Sequence, residues 1–395
     1  MSGPLTGIRV LELGSLIAGP FCAKTLGDFG AEVIKIEPPG EGDALRTWRR
    51  MRNGTSLWWQ VQSRNKKSVT CDLRQPQGQE IVRRLARRSH IMIENFRPGA
   101  LERWNLGWEA LAADNPALIL VRISGYGQSG PYRERPGFAA IAEALGGMRH
   151  VTGFPDRPPA RPNLSLGDTI AALHGVIGAL LALHALKNGA AGQVIDVALY
   201  ESVFNCMESL LPEYDAQGYI RERSGSALPG IAPSNLYPCN DGTYVLIAGN
   251  ADSLYRRLMS AIGRADLRDD PALARNDGRA AQMQRIDEAI AEWTRGRTQS
   301  EVLAAMAAAE VPAGRIYTAA DIAADPHYLA RGMIEKITAA DGEPLKVPGV
   351  IPKLSRTPGA LRTPAPRLGE HTDEVLREIG YSEADISRLR EAHIL

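Results

Sequence analysis

Two short runs, Ile8-Arg9-Val10-Leu11-Glu12-Leu13 and Ala31-Glu32-Val33-Ile34-Lys35-Ile36-Glu37, decide the fold through what lies between them. Both are mostly apolar and of strand length. The segment Gly14 to Pro20 is a turn, punctuated by Gly14, Gly19 and Pro20, and Phe21 to Gly30 reads as a helix with Gly30 as its stop. Strand, helix and strand in close succession make a βαβ unit, with parallel strands and a right-handed crossover. The turn lacks a complete GxGxxG, so it gives little support to dinucleotide binding.

Working outward, the alternation continues. Strands are expected at Ser68–Leu73, Ile91–Asn95, Leu118–Ser124 and Gly192–Leu199, and helices at Pro76–Ser89 and near Trp108–Asn115. Such a pattern specifies an α/β sheet. Ligands of such sheets sit beyond the strand C-termini. Three unusual segments fall there: Leu16 to Pro20, Asn95 to Arg103, and Gly125-Tyr126-Gly127-Gln128-Ser129-Gly130-Pro131. Glycines in such loops let backbone N–H groups approach a ligand, although each loop taken alone also reads as a plain turn.

A second stretch stands out, Asn163-Leu164-Ser165-Leu166-Gly167-Asp168, followed by an apolar run of small residues from Thr169 to Leu186 that reads as a buried helix. Asp168 has two readings. As the N-cap of that helix it satisfies the first-turn N–H groups. As a nucleophile it stays ionised at the helix start, with Gly167 leaving room for an incoming acyl group. The run is the most apolar of the chain, but Asp168, His174 and His184 argue against a membrane span.

With 395 residues, the chain exceeds one ordinary core, and two domains are expected. Hydrophobic residues make up 44% and charged ones 23%, as in a soluble protein, and a net charge of +1 gives no bias toward nucleic acid or anionic membrane. The cysteines Cys22, Cys71, Cys206 and Cys239 are far apart and form no CxxC, and the histidines form no HExxH, so no metal site is expected. The N-terminus carries no signal pattern, and a cytoplasmic location is expected. Polar, Gly-, Ser- and Pro-rich residues 220–235 mark a domain crossing, beyond which a strand at 243–248 and several helices form a smaller α/β unit.

The chain resembles the class III CoA-transferases, the group of formyl-CoA transferase, carnitine CoA-transferase and α-methylacyl-CoA racemase. The resemblance rests on Arg9 to Glu12 with Ala18-Gly19-Pro20, Gly30 to Glu37, Asn65-Lys66-Lys67-Ser68, Glu94 to Gly99, Gly125-Tyr126-Gly127, Leu166-Gly167-Asp168, Gly192 to Val197 and Leu368 to Thr372, in family order over the chain. It implies a Rossmann-like large domain at 1–220, completed by 366–395, a small domain at 225–335, a return linker at 336–365, and an interlocked homodimer. Asp168 is then the nucleophile. Coenzyme A lies along Ile17, Ala18, Leu73, Arg74, Asn95, Phe96, Arg97 and Arg103, the arginines meeting its phosphates. The partners are an acyl-CoA and a small carboxylic acid.

Departures from the family pattern narrow the substrate. Ile17 replaces a glutamine of formyl-CoA transferases, a basic residue near Pro38 is missing with Arg46 as its substitute, and Phe138-Ala139 stands where racemases carry a His-Asp pair. A glycine-run lid has its nearest counterpart in Pro229 to Asn235, whose backbone, with that of Ile17-Ala18, is a candidate oxyanion donor. Arg135, Arg149, Arg161 and Asn235 are candidates for a second carboxylate, which favours succinyl-CoA and a dicarboxylate. The alternatives are α-methylacyl-CoA racemase, disfavoured by Phe138-Ala139, and a catalytically silent CoA-binding protein in which Asp168 is only a cap.

Overall fold

The computed structural model describes residues 3–395. The chain divides into two compact units, one of residues 1–148, 162–212 and 327–395, the other of residues 149–161 and 213–326. The second therefore also takes in 149–161, ahead of the crossing read from composition. The segment 336–365, expected as a linker, begins inside an antiparallel hairpin, Ile334–Thr338 paired with Pro344–Pro348.

The first unit carries six parallel strands: β1 (Arg9–Glu12), β2 (Glu32–Glu37), β3 (Lys66–Thr70), β4 (Ile91–Glu94), β5 (Ile119–Ser124) and β6 (Gln193–Ala198). Their order is β3-β2-β1-β4-β5-β6, with every neighbouring pair parallel. That is the doubly wound arrangement, in which the order reverses between β1 and β4 and opens a crevice at their C-terminal ends. The helices used below are α1 (Ala18–Asp28), α2 (Leu57–Gln62), α3 (Pro76–Ala86), α4 (Ala100–Arg103), α5 (Trp108–Asp114), α6 (Ala139–Leu145), α7 (Leu166–Lys187) and α8 (Leu199–Phe204).

Two cores, one on each face of the sheet, follow from the period-2 alternation of the strands. Val10, Ile91, Ile93, Ile119, Val121 and Ile123 pack with α1, α6 and α7 through Cys22, Ala23, Ala142, Ala171 and Ala172. Leu11, Ile34, Met92, Leu118 and Leu120 pack with α3, α4, α5 and the C-terminal helices through Ile81, Leu85, Leu101, Leu111, Val375 and Leu389. The second unit has its own core, built on an antiparallel three-stranded sheet in the order Ala313–Arg315, Tyr244–Ala248, Ser234–Pro238, with Val245, Ile247, Leu258, Ile290 and Met306 buried together.

Candidate active site

The helix of Asp168 starts earlier than the sequence suggests. α7 begins at Leu166, its N-cap is Ser165 with no side-chain capping bond, and Asp168 sits half-buried in the first turn. Asp168 is thus not the N-cap. Gly167 also has a different role from the one read in the sequence. A Cβ there would lie 3.2 Å from Cγ of Glu143 and 3.4 Å from Cβ of Ala139, so the glycine lets α6 close against the start of α7 rather than leaving space for an acyl group. The Gly167 N–H donates to Oε1 of the buried Glu143 at 3.3 Å. Small residues let α7 lie on the sheet: a Cβ at Gly175 would touch Cys22, Val121 and Ile123. By length and composition α7 would fit a membrane. It nonetheless buries Ala171, Ala172, Val176, Ala179 and Ala182 against the sheet side and turns Leu173, Ile177, Leu180 and Leu181 outward.

The loop after β1, Leu13 to Ile17, is held from beneath by buried and half-buried side chains of distant segments. Nζ of Lys35 donates to the Gly14 carbonyl at 2.7 Å and to Glu12 at 2.8 Å, and it pairs with Asp43 at 2.8 Å. Asp43 accepts the Leu16 N–H at 3.0 and 3.2 Å. Asn95 clasps Ser15 with both ends of its amide, accepting from the N–H at 2.8 Å and donating to the carbonyl at 2.9 Å. Nε2 of Gln62, at the end of α2, donates to the Ile17 carbonyl at 3.0 Å. Lys66 joins Glu12 at 2.7 Å to the Pro20 carbonyl at 2.8 Å. Burial opposes the Lys35 ammonium, but the carboxylates of Glu12, Asp43 and Glu37 outweigh it and hold its pKa above the usual lysine value. Burial, aided by Lys35 and opposed by Glu12, pushes Lys66 down to about 8. Asp43 is held below the usual carboxylate range: burial works against this, and Lys35 with the Leu45 and Leu16 N–H groups prevails.

Beyond this loop α1 begins at Ala18, and the first N–H groups of a helix have no partner within it. Among the described residues the N–H groups of Ile17 and Ala18 have no hydrogen-bond acceptor, and both residues lie just beyond the C-terminal end of β1. Arg46 does not replace the missing basic residue. Its guanidinium is bidentate on Glu37 at 2.7 and 2.8 Å and stacks on Trp59 at 3.8 Å.

Across the crevice, the loop after β4 is anchored by a chain of charges. Arg122 reaches Glu94 at 2.7 Å and Glu102 of α4 at 2.7 Å, and Glu94 accepts the Phe96 N–H at 2.7 Å. Burial pushes the Glu94 carboxyl up to about 7 although Arg122 opposes it. Phe96 packs edge-on to Trp104 at 5.2 Å. The exposed Arg97 and Arg103 make no side-chain hydrogen bond or ion pair among the described residues; the Arg103 guanidinium lies over Gly99. After β3, Leu73 is half-buried against the core, and the exposed Arg74 is bidentate on Asp72 at 2.9 Å. Asn95 uses one amide N–H and its oxygen on Ser15, which ties its side chain to the β1–α1 loop.

The segment expected as a lid, Pro229 to Asn235, belongs to the second unit and is tied within it. Asn276 donates to the Gly230 carbonyl at 2.8 Å and accepts the Ala232 N–H at 3.2 Å, and the buried Arg279 donates to the Ala232 carbonyl at 3.0 Å. Ile231 donates to Leu228 at 3.2 Å. The Ile231 and Ala232 N–H groups are therefore already used, which argues against them as oxyanion donors. The Asn235 amide is likewise engaged within the second unit, donating to Asp287 at 2.8 Å and accepting from Ser226 at 2.6 Å.

The sequence reading missed Asp43, Gln62 and the pairing of Glu12 with Lys35, which face each other in register across β1 and β2. The signal was present: Glu12 and Lys35 follow directly on apolar residues of two strands that carry charge mainly at their ends. It also missed Glu143, whose tie to Gly167 is made only by the packing of α6 on α7.

The fold defines a Rossmann-like α/β protein whose strand order reverses at the β1/β4 switch point. The family model for CoA-transferase family III matches residues 5–372. The succinyl-CoA–D-citramalate CoA-transferase of Chloroflexus aurantiacus is 48% identical over 394 residues, spanning 99% of this chain and 98% of the relative. The succinyl-CoA–L-malate CoA-transferase beta subunit of the same organism is 44% identical over 397 residues, with 99% and 98% covered. The crystal structure of a CAIB/BAIF family protein from Brucella suis matches with a TM-score of 0.84 at 35% identity, covering 96% of this chain and 100% of that one. The chain belongs to CoA-transferase family III and is a CoA-transferase.

Proposed function

We propose that the enzyme moves CoA from succinyl-CoA to a free hydroxydicarboxylic acid of the citramalate or malate type, with Asp168 as its nucleophile. The observation that carries the substrate class is the 48% identity over nearly the whole chain to a relative named for succinyl-CoA and D-citramalate. Asp168 supports the mechanism by its place in the first turn of α7, where the helix dipole favours the carboxylate. An Asp168 oxygen attacks the thioester carbonyl; the C–S bond breaks, leaving a mixed anhydride and CoA thiolate. The thiolate attacks the Asp168 carbonyl, forming an aspartyl-CoA thioester and releasing succinate. The acceptor carboxylate attacks that thioester to give a second anhydride and thiolate, and thiolate attack on the acceptor acyl carbon yields the new CoA ester and frees Asp168. Each step exchanges one acyl bond for another, so the thioester's activation is retained. The Ile17 and Ala18 N–H groups face the developing oxyanions, and Arg97 and Arg103 hold the phosphates.

A matrix of acyl-CoA donors against free acids, read by mass spectrometry, tests the reading. The expected result is citramalyl- or malyl-CoA formed from succinyl-CoA; CoA esters formed only with monocarboxylic acids would overturn it. The outward Leu173, Ile177, Leu180 and Leu181 of α7, with the exposed Phe204 of α8, support a homodimer. Light scattering is expected at twice the chain mass, and a fully active monomer would remove it.

A further inference from the structure

The loop between β1 and α1 carries more restraint than a turn needs. Leu16, a γ-branched residue, has φ of 65°, a left-handed conformation that non-glycine residues hold only when their surroundings enforce it. Gly14, Ser15, Leu16 and Ile17 each give a backbone atom to a side chain from elsewhere in the chain: Lys35, Asn95, Asp43 and Gln62 respectively. Lys35, Asp43 and Gln62 are buried, as are Glu12, Glu37 and Lys66 behind them. With Arg46, the carboxylates of Glu12, Glu37 and Asp43 meet an equal number of cations in Lys35, Lys66 and Arg46.

Buried ion networks are weak devices for stability, since desolvation offsets most of their attraction. What this one does achieve is geometric. It fixes four consecutive backbone units immediately before the free N–H groups that open α1.

We infer that Asp43, backed by Lys35 and joined by Gln62, is a positioning residue for acyl transfer: it holds Leu16 left-handed so that the Ile17 and Ala18 N–H groups are aimed at the thioester oxygen. Asp43 itself touches no reacting atom. The inference rests on the acyl-transfer reading above and adds the residues that pre-set its oxyanion donors. Donors aligned in advance need no reorganisation during reaction, and a displacement of about 1 Å can lower the rate about 100-fold. The arginines that hold the phosphates lie on another loop, so CoA affinity should not depend on this clamp.

The test uses the full chain and wild-type exchange as its reference. Asp43→Asn leaves Lys35 with Glu12 as its one direct counter-charge and the network one negative charge short; Lys35→Met/Asp43→Asn removes one charge of each sign and keeps the network balanced; Gln62→Leu leaves every charge in place. For the folded variants, kcat is expected to fall about 100-fold for the first two and about tenfold for Gln62→Leu, with the Kd of CoA, by calorimetry, within threefold of wild type. A folded double variant or Gln62→Leu with wild-type kcat would overturn the positioning role. So would a parallel loss of kcat and CoA binding, which is the signature of general misfolding. If both Asp43 variants fail to fold, Gln62→Leu decides. Absence of exchange by the wild-type enzyme with any donor and acid would instead overturn the reading on which the inference rests.

Discussion

The two loops that face each other across the β1/β4 crevice are built in opposite ways. In the β1–α1 loop the protein's own side chains take up the backbone: Lys35, Asp43, Asn95 and Gln62 bind it from below, out of contact with water or almost so in three of the four cases. In the loop after β4 the anchoring is confined to its roots, where Glu94, Arg122 and Glu102 form a chain. Its outer cations, Arg97 and Arg103, make no side-chain bond among the described residues. On the proposed reading the difference separates two tasks: a backbone offering donors at a fixed point is saturated with internal partners, whereas side chains gripping a flexible polyanion keep theirs unspent. Chemistry should therefore respond to one side of the crevice and affinity to the other.

The largest expected effect tests the chemical side. Asp168→Asn is nearly isosteric and removes the anionic nucleophile, so kcat should fall by about 1000-fold or more with CoA binding retained. Wild-type enzyme treated with acyl-CoA and then hydroxylamine should carry a hydroxamate on the peptide containing Asp168, found by mass spectrometry. Near wild-type exchange by the asparagine variant would break the comparison at its centre.

A second test sharpens the view of the roots of the loop after β4. Burial raises Glu94 to about 7 in the folded chain, above its ordinary value of 4.5. Between those two values the folded protein holds a proton that the unfolded chain has released. Stability should therefore be highest below pH 4.5 as far as this group is concerned, fall as pH rises toward 7, and level off above it, by on the order of 3 kcal/mol. Glu94→Gln keeps an acceptor for the Phe96 N–H and should flatten this part of the curve in thermal melts recorded from pH 4.5 to 8. An unchanged slope in the variant would assign the dependence to other groups.

The smallest effects should come from the outer cations. Arg97→Ala and Arg103→Ala should each raise the KM for succinyl-CoA about tenfold, in the range of one lost charge-assisted bond, and leave kcat little altered. Pantetheine thioesters, which lack the nucleotide phosphates, should be used equally well by variant and wild type. Equal losses on both substrates would mean that these arginines do not meet phosphate.

Much of this arrangement is legible in the chain itself. Alternation of apolar runs with helical segments specified the α/β class, because strand and helix periods are local properties of ten or so residues. The Gly-Asp step before a long apolar run drew attention to Asp168 as cap or nucleophile, and the glycine-containing loops after the strands marked the crevice. Local signals also misled. They placed the start of α7 at Asp168 rather than Leu166, since an acidic residue favours the cap and the first turn alike. They assigned Gly167 to substrate access, although the atoms that fill its missing Cβ belong to Glu143 and Ala139 of another helix.

What only the tertiary structure decided shares one physical character: it depends on residues brought together from far along the chain. The strand order β3-β2-β1-β4-β5-β6 follows from which apolar faces pair, and no single window of sequence contains that choice. The left-handed Leu16 gives its N–H to Asp43, 27 positions away, and Ser15 is bound by Asn95, 80 positions away. Arg46 and Asn235 read as free polar side chains in the sequence and are spent in the fold, on Glu37 and Asp287. A sequence announces which groups carry charge; whether a charge is buried as a brace or left for a ligand is set by the partners that folding delivers to it.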